Sequence, residues 1–366
     1  MRVESLHFEN YRNLIDGSIY PSDKVNVIYG ENANGKTNLL EAIWLFCGGH
    51  SFRGAKESEL IRFEKDFFRL QMGFFSGDRE QTAQILFDKN KKSIKINEVE
   101  KNASSFLTEV FSVVVFSPEH LSLIKQGPNV RRRFLDAAIC QQRVRYASLL
   151  AQYNRIINQR NALLKDIYKN KELKETLSIW DDSLSVVGAQ IIKERLDYIR
   201  QLRTAAKTYH RGISGEKEEL DILYLSTAKA DESDTVEIIR EKLKNAYLAS
   251  RHEDYHTGYT SVGPHRDDLE IKINGISARK FASQGQQRSA VLSMKLSEAE
   301  LLYQKNGERP VVLLDDVLSE LDNSRQDFLL NKVEEYQVFV TCCEKSNKEQ
   351  LKNGKVFFVH DGAITE

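Results

Sequence analysis

The stretch Gly30-Glu31-Asn32-Ala33-Asn34-Gly35-Lys36-Thr37 constrains this 366-residue chain more than any other. It fits G-x-x-x-x-G-K-[ST], and its flanks are the ones that motif needs. Lys24–Tyr29 alternates apolar residues as a strand does, and Asn38–Phe46 reads as a helix free of Pro and Gly. In a strand–loop–helix unit, glycines let backbone N–H groups turn inward around a phosphate, and the helix N-terminus adds partial positive charge. Lys36 is then placed to reach β- and γ-phosphates, and the Thr37 hydroxyl to ligate Mg²⁺. ATP and Mg²⁺ are the expected cofactors, and Gly30 to Asn38 the expected binding loop.

Such a site needs a carboxylate for the metal. Pro310–Leu314 is a short apolar run ending in Asp315-Asp316. It reads as a buried parallel strand whose C-terminal end faces the loop. Asp315 suits the metal, and Asp316 suits polarising a water. A second anion site is legible at Ser283-Gln284-Gly285-Gln286, just before a helix expected over Ala290–Tyr303. A chain with its own phosphate loop leaves the outer face of a γ-phosphate open, and a second copy can cap that face with Ser283 and the Gly285 backbone. The plain alternative is a helix N-cap.

Fifty-three basic residues balance 53 acidic ones, so a globally basic nucleic-acid binder is excluded while a local basic face is not. Such a face is suggested between Val130 and Lys165. There Arg131, Arg132, Arg133, Arg143 and Arg145 are followed by Arg155 and Arg160, and Asp136 is the only acid. Arginines on helices pair with phosphates largely without reading bases; solvated faces and internal pairs such as Arg132 with Asp136 are the competing reading. No apolar run approaches the ~20 residues of a membrane span. Met1–Phe8 reads as a mixed strand, without the pattern of a signal peptide. Four cysteines lack C-x-x-C spacing, and Cys342-Cys343 read as reduced core residues, so a cytoplasmic location is expected.

Strand patterning fills Arg2–Phe8, Phe67–Phe75, Gln81–Phe87, Ser93–Ile96 and Ser112–Phe116. Helical spacing then runs from Tyr146 to Tyr168 and from Leu177 to Leu202, which predicts an antiparallel pair broken at Gly212–Gly215. A helix is expected over Thr235–Arg251 and a strand over Gly258–Val262. Asn274-Gly275 between Leu269–Ile273 and Ile276–Ala278 signals a hairpin. The expected fold is α/β: a P-loop head over 1–117 plus 256–366, split by a helical insert over 118–255. His252-Glu-Asp-Tyr-His256 fits H-E-x-x-H, but a helix ending inside the motif denies it zinc chemistry. His265 and Arg266 are better functional candidates.

Taken together, these motifs resemble ABC-type ATPases with an inserted lobe, the SMC-like group. Phe8–Asn13, Asn26–Ile43, Ser51–Arg53, Arg131–Asp136, Gly263–Leu269 and Ser283–Ser289 narrow the resemblance to the RecF family, in order along essentially the whole chain. The resemblance implies a homodimer closing over two ATP molecules. In it, Ser283, Gln284, Gly285 and Gln286 face the partner's nucleotide, and the loop at Ser319–Asp322 lies at the interface. Arg12 and Asn13 become nucleotide contacts by family position. Members bind DNA at junctions of double and single strands, and act with RecR and RecO in loading a recombinase. Two departures stand out. The slot after the metal aspartate commonly holds Glu, and here it is Asp316. The switch histidine after the next strand is missing, and Thr341 follows Gln337–Val340. A shorter base and no histidine predict slow hydrolysis. Glu119, after strand Ser112–Phe116, is the candidate for the usual Q-loop glutamine. An ABC transporter subunit would lack an insert of this size, and an SMC protein needs far longer helical arms.

Overall fold

The computed structural model describes residues 1–48, 50–88, 91–102, 106–121, 123–167, 171–342 and 354–366. These form two compact units. The first comprises Met1–Ser122, Gly212–Gly215 and Arg288–Glu366; the second comprises Leu123–Arg211 and Glu216–Gln287. The sequence places residues 256–287 in the head, whereas here they cluster with the helical unit.

The first unit holds two six-stranded sheets. One is antiparallel, in the order β2-β1-β4-β5-β6-β7. Its strands are β1 (Arg2–Glu9), β2 (Gly17–Ile19), β4 (Phe67–Ser76), β5 (Arg79–Asp88), β6 (Lys91–Ile96) and β7 (Val99–Lys101). The other runs β15-β14-β3-β13-β12-β8. Its strands are β3 (Val25–Tyr29), β8 (Val113–Phe116), β12 (Val311–Leu314), β13 (Val338–Cys342), β14 (Gly354–His360) and β15 (Ala363–Thr365). All its pairings are parallel except β14 with β15. β8 and β12 are buried along their whole length, as unbroken Val/Leu/Phe runs in a parallel sheet require.

The helix Lys36–Leu45 shares one apolar cluster with both sheets: Leu39, Leu40 and Ile43 join Val115, Leu313 and Phe339 on one side and Leu6, Leu70 and Met72 on the other. Each such side chain contributes ~1.5–3 kcal/mol when fully buried. Gln337, buried in this unit, accepts from Val3 N–H at 2.7 Å and donates to Val3 O at 2.9 Å and Ser22 O at 2.7 Å. One amide thereby ties β1 to the start of the parallel sheet.

The second unit is mainly helical. Helices Val144–Ile167 and Leu177–Ser214 are antiparallel, and three contacts prove it. Arg160 meets Asp181, Tyr153 lies beside Gly188, and Tyr146 meets Arg195. As one index falls by seven the other rises by seven, the repeat of a coiled-coil seam. The expected break over Gly212–Gly215 falls at the last residue of that stretch. The helix continues through Gly212 to Ser214, and Phe328 packs at Gly212: a methyl added there would lie only 2.9 Å from the ring. The turn comes at Gly215, φ +62°. A three-stranded sheet ordered β11-β10-β9 completes the unit: β9 (Leu220–Leu225), β10 (Asp268–Ile273) and β11 (Ile276–Ser277). Asn274 and Gly275 both have positive φ, as their two-residue hairpin demands.

The expected strand at Gly258–Val262 is irregular chain instead. Its polar groups serve side chains: the Thr260 carbonyl accepts from Arg266 Nε at 3.1 Å, and Thr260 Oγ1 accepts from Arg160 at 2.8 Å. The helix Val236–Thr257 runs through both histidines of His252–His256 and stops at Gly258 in the left-handed conformation. That corrects the expected helix end. The histidines are exposed, and no metal-holding cluster occurs among the described residues. Cys47 and Cys342 are buried, and no disulfide forms among the described residues, while Cys343 lies outside them.

Candidate functional site

In the parallel sheet the strand register sets four chain segments side by side. Tyr29 pairs with Cys342, Leu314 with Val340, and Leu314 with Phe116. The loop after β3, the carboxylates after β12, Thr341 in β13 and Glu119 after β8 therefore share the C-terminal edge of one sheet, where α/β proteins bind ligands.

The loop itself is shaped by three positive φ angles, at Gly30 (+155°), Ala33 (+69°) and Gly35 (+114°). A methyl on Gly30 would sit 2.2 Å from the Val359 carbonyl oxygen, so only glycine fits against β14. Asn13 holds the loop from outside: its Nδ2 donates to Ala33 O at 3.0 Å, and its Oδ1 accepts from Asn38 Nδ2 at 2.7 Å. Lys36, only 7% exposed, donates to Gly30 O at 2.6 Å and Glu31 O at 3.0 Å. Its ammonium is thus kept inside the loop that a phosphate would enter. Asn32 and Asn34 turn toward the same loop, Asn32 through Lys36 and Asn34 through the Val359 carbonyl.

Thr37 Oγ1 donates to Asp315 Oδ1 at 2.8 Å, and Thr341 Oγ1 donates to the same oxygen at 3.0 Å. The Thr341 hydroxyl also accepts from Asp316 N–H at 2.8 Å. At the place of the missing histidine, one threonine therefore fixes the Asp315 carboxylate and the Asp316 backbone. Burial pushes the Asp315 carboxyl up, the two threonine hydroxyls pull it down, Asp316 pushes it up again and Arg53 opposes. The hydroxyl of Thr37 and the carboxylate of Asp315 are hard oxygen donors side by side, a set that suits Mg²⁺. Asp316 has φ +52°, a strained conformation for a residue with a side chain, and strain of that kind gathers at functional sites.

Arg12 does not point freely at the loop. It pairs at 2.9 Å with Glu41, which is fully buried and also accepts from Tyr11 Oη at 3.2 Å and Ser51 Oγ at 2.5 Å. Arg53 was given no role by sequence reasoning, although it belongs to Ser51–Arg53. It donates to Asn38 Oδ1 at 3.1 Å, and its charge lowers the carboxyls of both Asp315 and Glu119. Burial raises Glu119, and Arg53 is the largest opposing influence. Its place in Ser51-Phe52-Arg53 was the one signal in the sequence, and its closeness to the two acids comes from the fold.

In the second unit, Ser283 Oγ accepts from Gln286 N–H at 3.2 Å, and Gln286 Oε1 accepts from Ser283 N–H at 2.9 Å. That is a reciprocal capping box on the helix Gln284–Asn306, with Ser283 and Gln284 exposed. In the first unit Asp322 caps the helix Asn323–Val333 through Arg325 N–H at 3.0 Å.

The arginine run divides. Arg131 is buried and bidentate to Asp268 at 2.7 and 2.8 Å, which removes it from any DNA surface. Arg132 is half-buried and donates to the Asp267 carbonyl at 2.6 Å in place of the expected pair with Asp136, which Arg195 takes at 2.8 Å. Arg160 is fully buried. Arg133, Arg143 and Arg145 are exposed, and Arg143 lies 3.5 Å from Glu194.

His265 is packed inside this unit. Nε2–H donates to Thr260 O at 3.0 Å, and Nδ1 accepts from Tyr153 Oη at 2.9 Å, so the neutral ring uses both nitrogens. Burial drives its pKa down to about 4. The unfolded ring binds a proton near pH 6.5, so stability is complete above that value and falls as pH drops toward 4. The loss amounts to ~3 kcal/mol at 1.36 kcal/mol per unit. Urea unfolding at pH 7.5 and pH 5 should show about 2 kcal/mol of this fall, the rest coming between pH 5 and 4, and His265→Asn should flatten it; an equal fall in the variant would contradict it.

A family model described as RecF/RecN/SMC N terminal domain matches residues 2–365. The DNA replication and repair protein RecF of Clostridium acetobutylicum is 41% identical over the whole of both chains. The chain belongs to the RecF family. The RecF of Caldanaerobacter subterraneus is also 41% identical, over 100% of this chain and 99% of its own. Among solved structures, the recombination mediator protein RecF-ATP of the RecFOR pathway superposes with a TM-score of 0.92 at 40% identity, covering 99% of this chain and 96% of that one. The Smc head domain from Pyrococcus furiosus, at 14% identity and TM-score 0.56, shares the fold alone. The expected SMC-like α/β head is thus the observed one.

Proposed function

We propose that this RecF-family chain is an ATP-dependent DNA-binding protein of recombinational repair and replication-fork maintenance. Two copies close over two ATP molecules and clamp DNA at junctions or gaps, and RecR and RecO act with them in loading a recombinase. The observation that carries the reading is the convergence of Lys36, Thr37, Asp315, Asp316 and Thr341 at one sheet edge. The solved relative named RecF-ATP in the RecFOR pathway supports the nucleotide and the partners.

In this reading Lys36 and the loop N–H groups bind the β- and γ-phosphates, and Gly30 to Asn38 wrap them. Thr37 and Asp315 would hold Mg²⁺, which supplies neutralisation of phosphate charge. Asp316 orients the attacking water, with Thr341 setting the backbone that carries it. Ser283 and Gly285 of a second copy close the open face of the γ-phosphate, and Asp322 lies at the same interface. The Ser283 capping box leaves its hydroxyl on the exposed start of a helix, where an anion is favoured. Arg143, in the extended link between two helices, and Arg145, on the second of them, remain the exposed charges for phosphates of DNA.

The short Asp316 carboxylate and the threonine at position 341 make the chemical step slow. Turnover should stay below ~10 s⁻¹, the usual enzyme median; a faster rate would remove the timer role. The DNA reading is tested by anisotropy with a gapped duplex. Binding should need ATP, and Arg143→Ala with Arg145→Ala should weaken it and reduce the salt slope by ~1–2. Equal binding with ATP and ADP, or an unchanged slope, would count against it.

A further inference from the structure

Two motifs that the nucleotide chemistry does not use, Arg131–Asp136 and Gly263–Asp268, interlock in the second unit. Arg131 grips Asp268, Arg132 donates to the Asp267 carbonyl, and Arg195 joins Asp136 to the Pro264 carbonyl at 2.6 Å. Beside this interlock lies a cleft of about 290 Å³. The helix Pro128–Gln142 contributes Asn129, Arg132 and Arg133, spaced to share one face. The helix Val144–Ile167 contributes Tyr153 and Asn154, and the loop after Gly263 contributes His265.

Charge in this cleft is out of balance. Asp136 is its only carboxylate, and Arg195 holds both of that group's oxygens at 2.8 and 3.0 Å. The nearby acids are committed too: Asp268 to Arg131, and Asp267 to the Tyr224 hydroxyl and to Thr227. Arg132 donates to neutral acceptors only, the Asp267 carbonyl and the Asn129 side chain. Arg133 is exposed, and neither arginine forms an ion pair among the described residues. His265 adds no further positive charge, since its half-buried ring is neutral and uses both nitrogens.

Asp268, Asp267 and Asp136 act on Arg132 through space only, so Arg132 and Arg133 face the cleft without a direct ion pair, flanked by two amides able to donate. Guanidinium forks match phosphate oxygens, and the first turn of a helix adds to the attraction. A phosphodiester brings one negative charge, whereas a phosphomonoester brings close to two at neutral pH. We propose that this cleft is a binding site for a phosphomonoester dianion, held by Arg132 and Arg133 with Asn129 and Asn154. Two sources carry that chemistry, the phosphorylated end of a DNA strand and a free mononucleotide. The first rests on the DNA-binding reading above, and the second does not.

The test uses the full chain with its loop saturated by a non-hydrolysable ATP analogue. Anisotropy compares junction DNA bearing a terminal phosphate at the 5′ or the 3′ end with the same DNA ending in hydroxyls. Calorimetry with thymidine monophosphate forms the second arm. Arg133→Gln alters an exposed side chain and keeps the interlock, so it guards against a folding artefact in Arg132→Gln/Arg133→Gln. The expected result is ~10-fold tighter binding of one phosphorylated end. That ratio should shrink in the single variant and reach one in the double. A ratio of one in the wild type, with monophosphate binding that Arg133→Gln weakens, assigns the cleft to the free nucleotide. A ratio of one without such binding, or a preference that survives both variants, overturns the proposal. If the wild type binds no junction DNA at all, the DNA reading fails, and the monophosphate arm alone decides the cleft.

Discussion

Lys36→Ala is expected to raise the dissociation constant for ATP by ~100-fold, the loss of about two charge-assisted hydrogen bonds of ~1.5 kcal/mol each. The ammonium is buried and held by the carbonyls of Gly30 and Glu31. No other cation among the described residues takes that position, and Arg12 is committed to Glu41. The fold should survive, because the residues packing the helix Lys36–Leu45 are Leu39, Leu40 and Ile43. Titration calorimetry gives the affinity, and circular dichroism confirms the fold. An affinity within threefold of wild type would place the phosphates elsewhere.

Arg160→Ala is expected to destabilise the helical unit by ~3–5 kcal/mol, the cost of breaking a buried ion pair from one side. Arg160 is fully buried; it donates to Asp181 at 2.8 Å and to Asp254 at 2.7 Å, and both acids are nearly or wholly buried. Arg251 still covers Asp181 at 2.8 Å, so the uncompensated charge falls mainly on Asp254. These groups bring the helices Val144–Ile167, Leu177–Ser214 and Val236–Thr257 to one point. Urea unfolding followed by helix signal gives the size of the effect. A loss below ~1 kcal/mol would show that the carboxylates find other partners or take up protons.

The phosphate loop was legible because its requirements are local. Strand, glycines, lysine and helix stand within 23 consecutive residues, from Lys24 to Phe46. The Asn274-Gly275 hairpin was legible for the same reason. Asp315 was found because an unbroken apolar run predicts a buried strand wherever it falls. What failed depended on distant partners. The arginine run looks like one basic face, yet Asp268 lies 137 positions from Arg131 and Asp254 lies 94 from Arg160. Gly258–Val262 has strand composition, but its polar groups are engaged by Arg160, His265 and Arg266. Thr341 reads as a missing histidine in sequence; only the fold shows it holding Asp315 and Asp316.

Incompleteness of each copy is the central claim: one chain cradles the triphosphate, and Ser283 and Gly285 of a second chain complete the enclosure. Sedimentation velocity of the wild type and of Ser283→Arg, each with and without ATP, tests this most directly. The wild type should shift from monomer to dimer on adding ATP, and Ser283→Arg should still bind ATP yet remain monomeric. A wild type that binds ATP and stays monomeric, or a variant that dimerises as the wild type does, would contradict it.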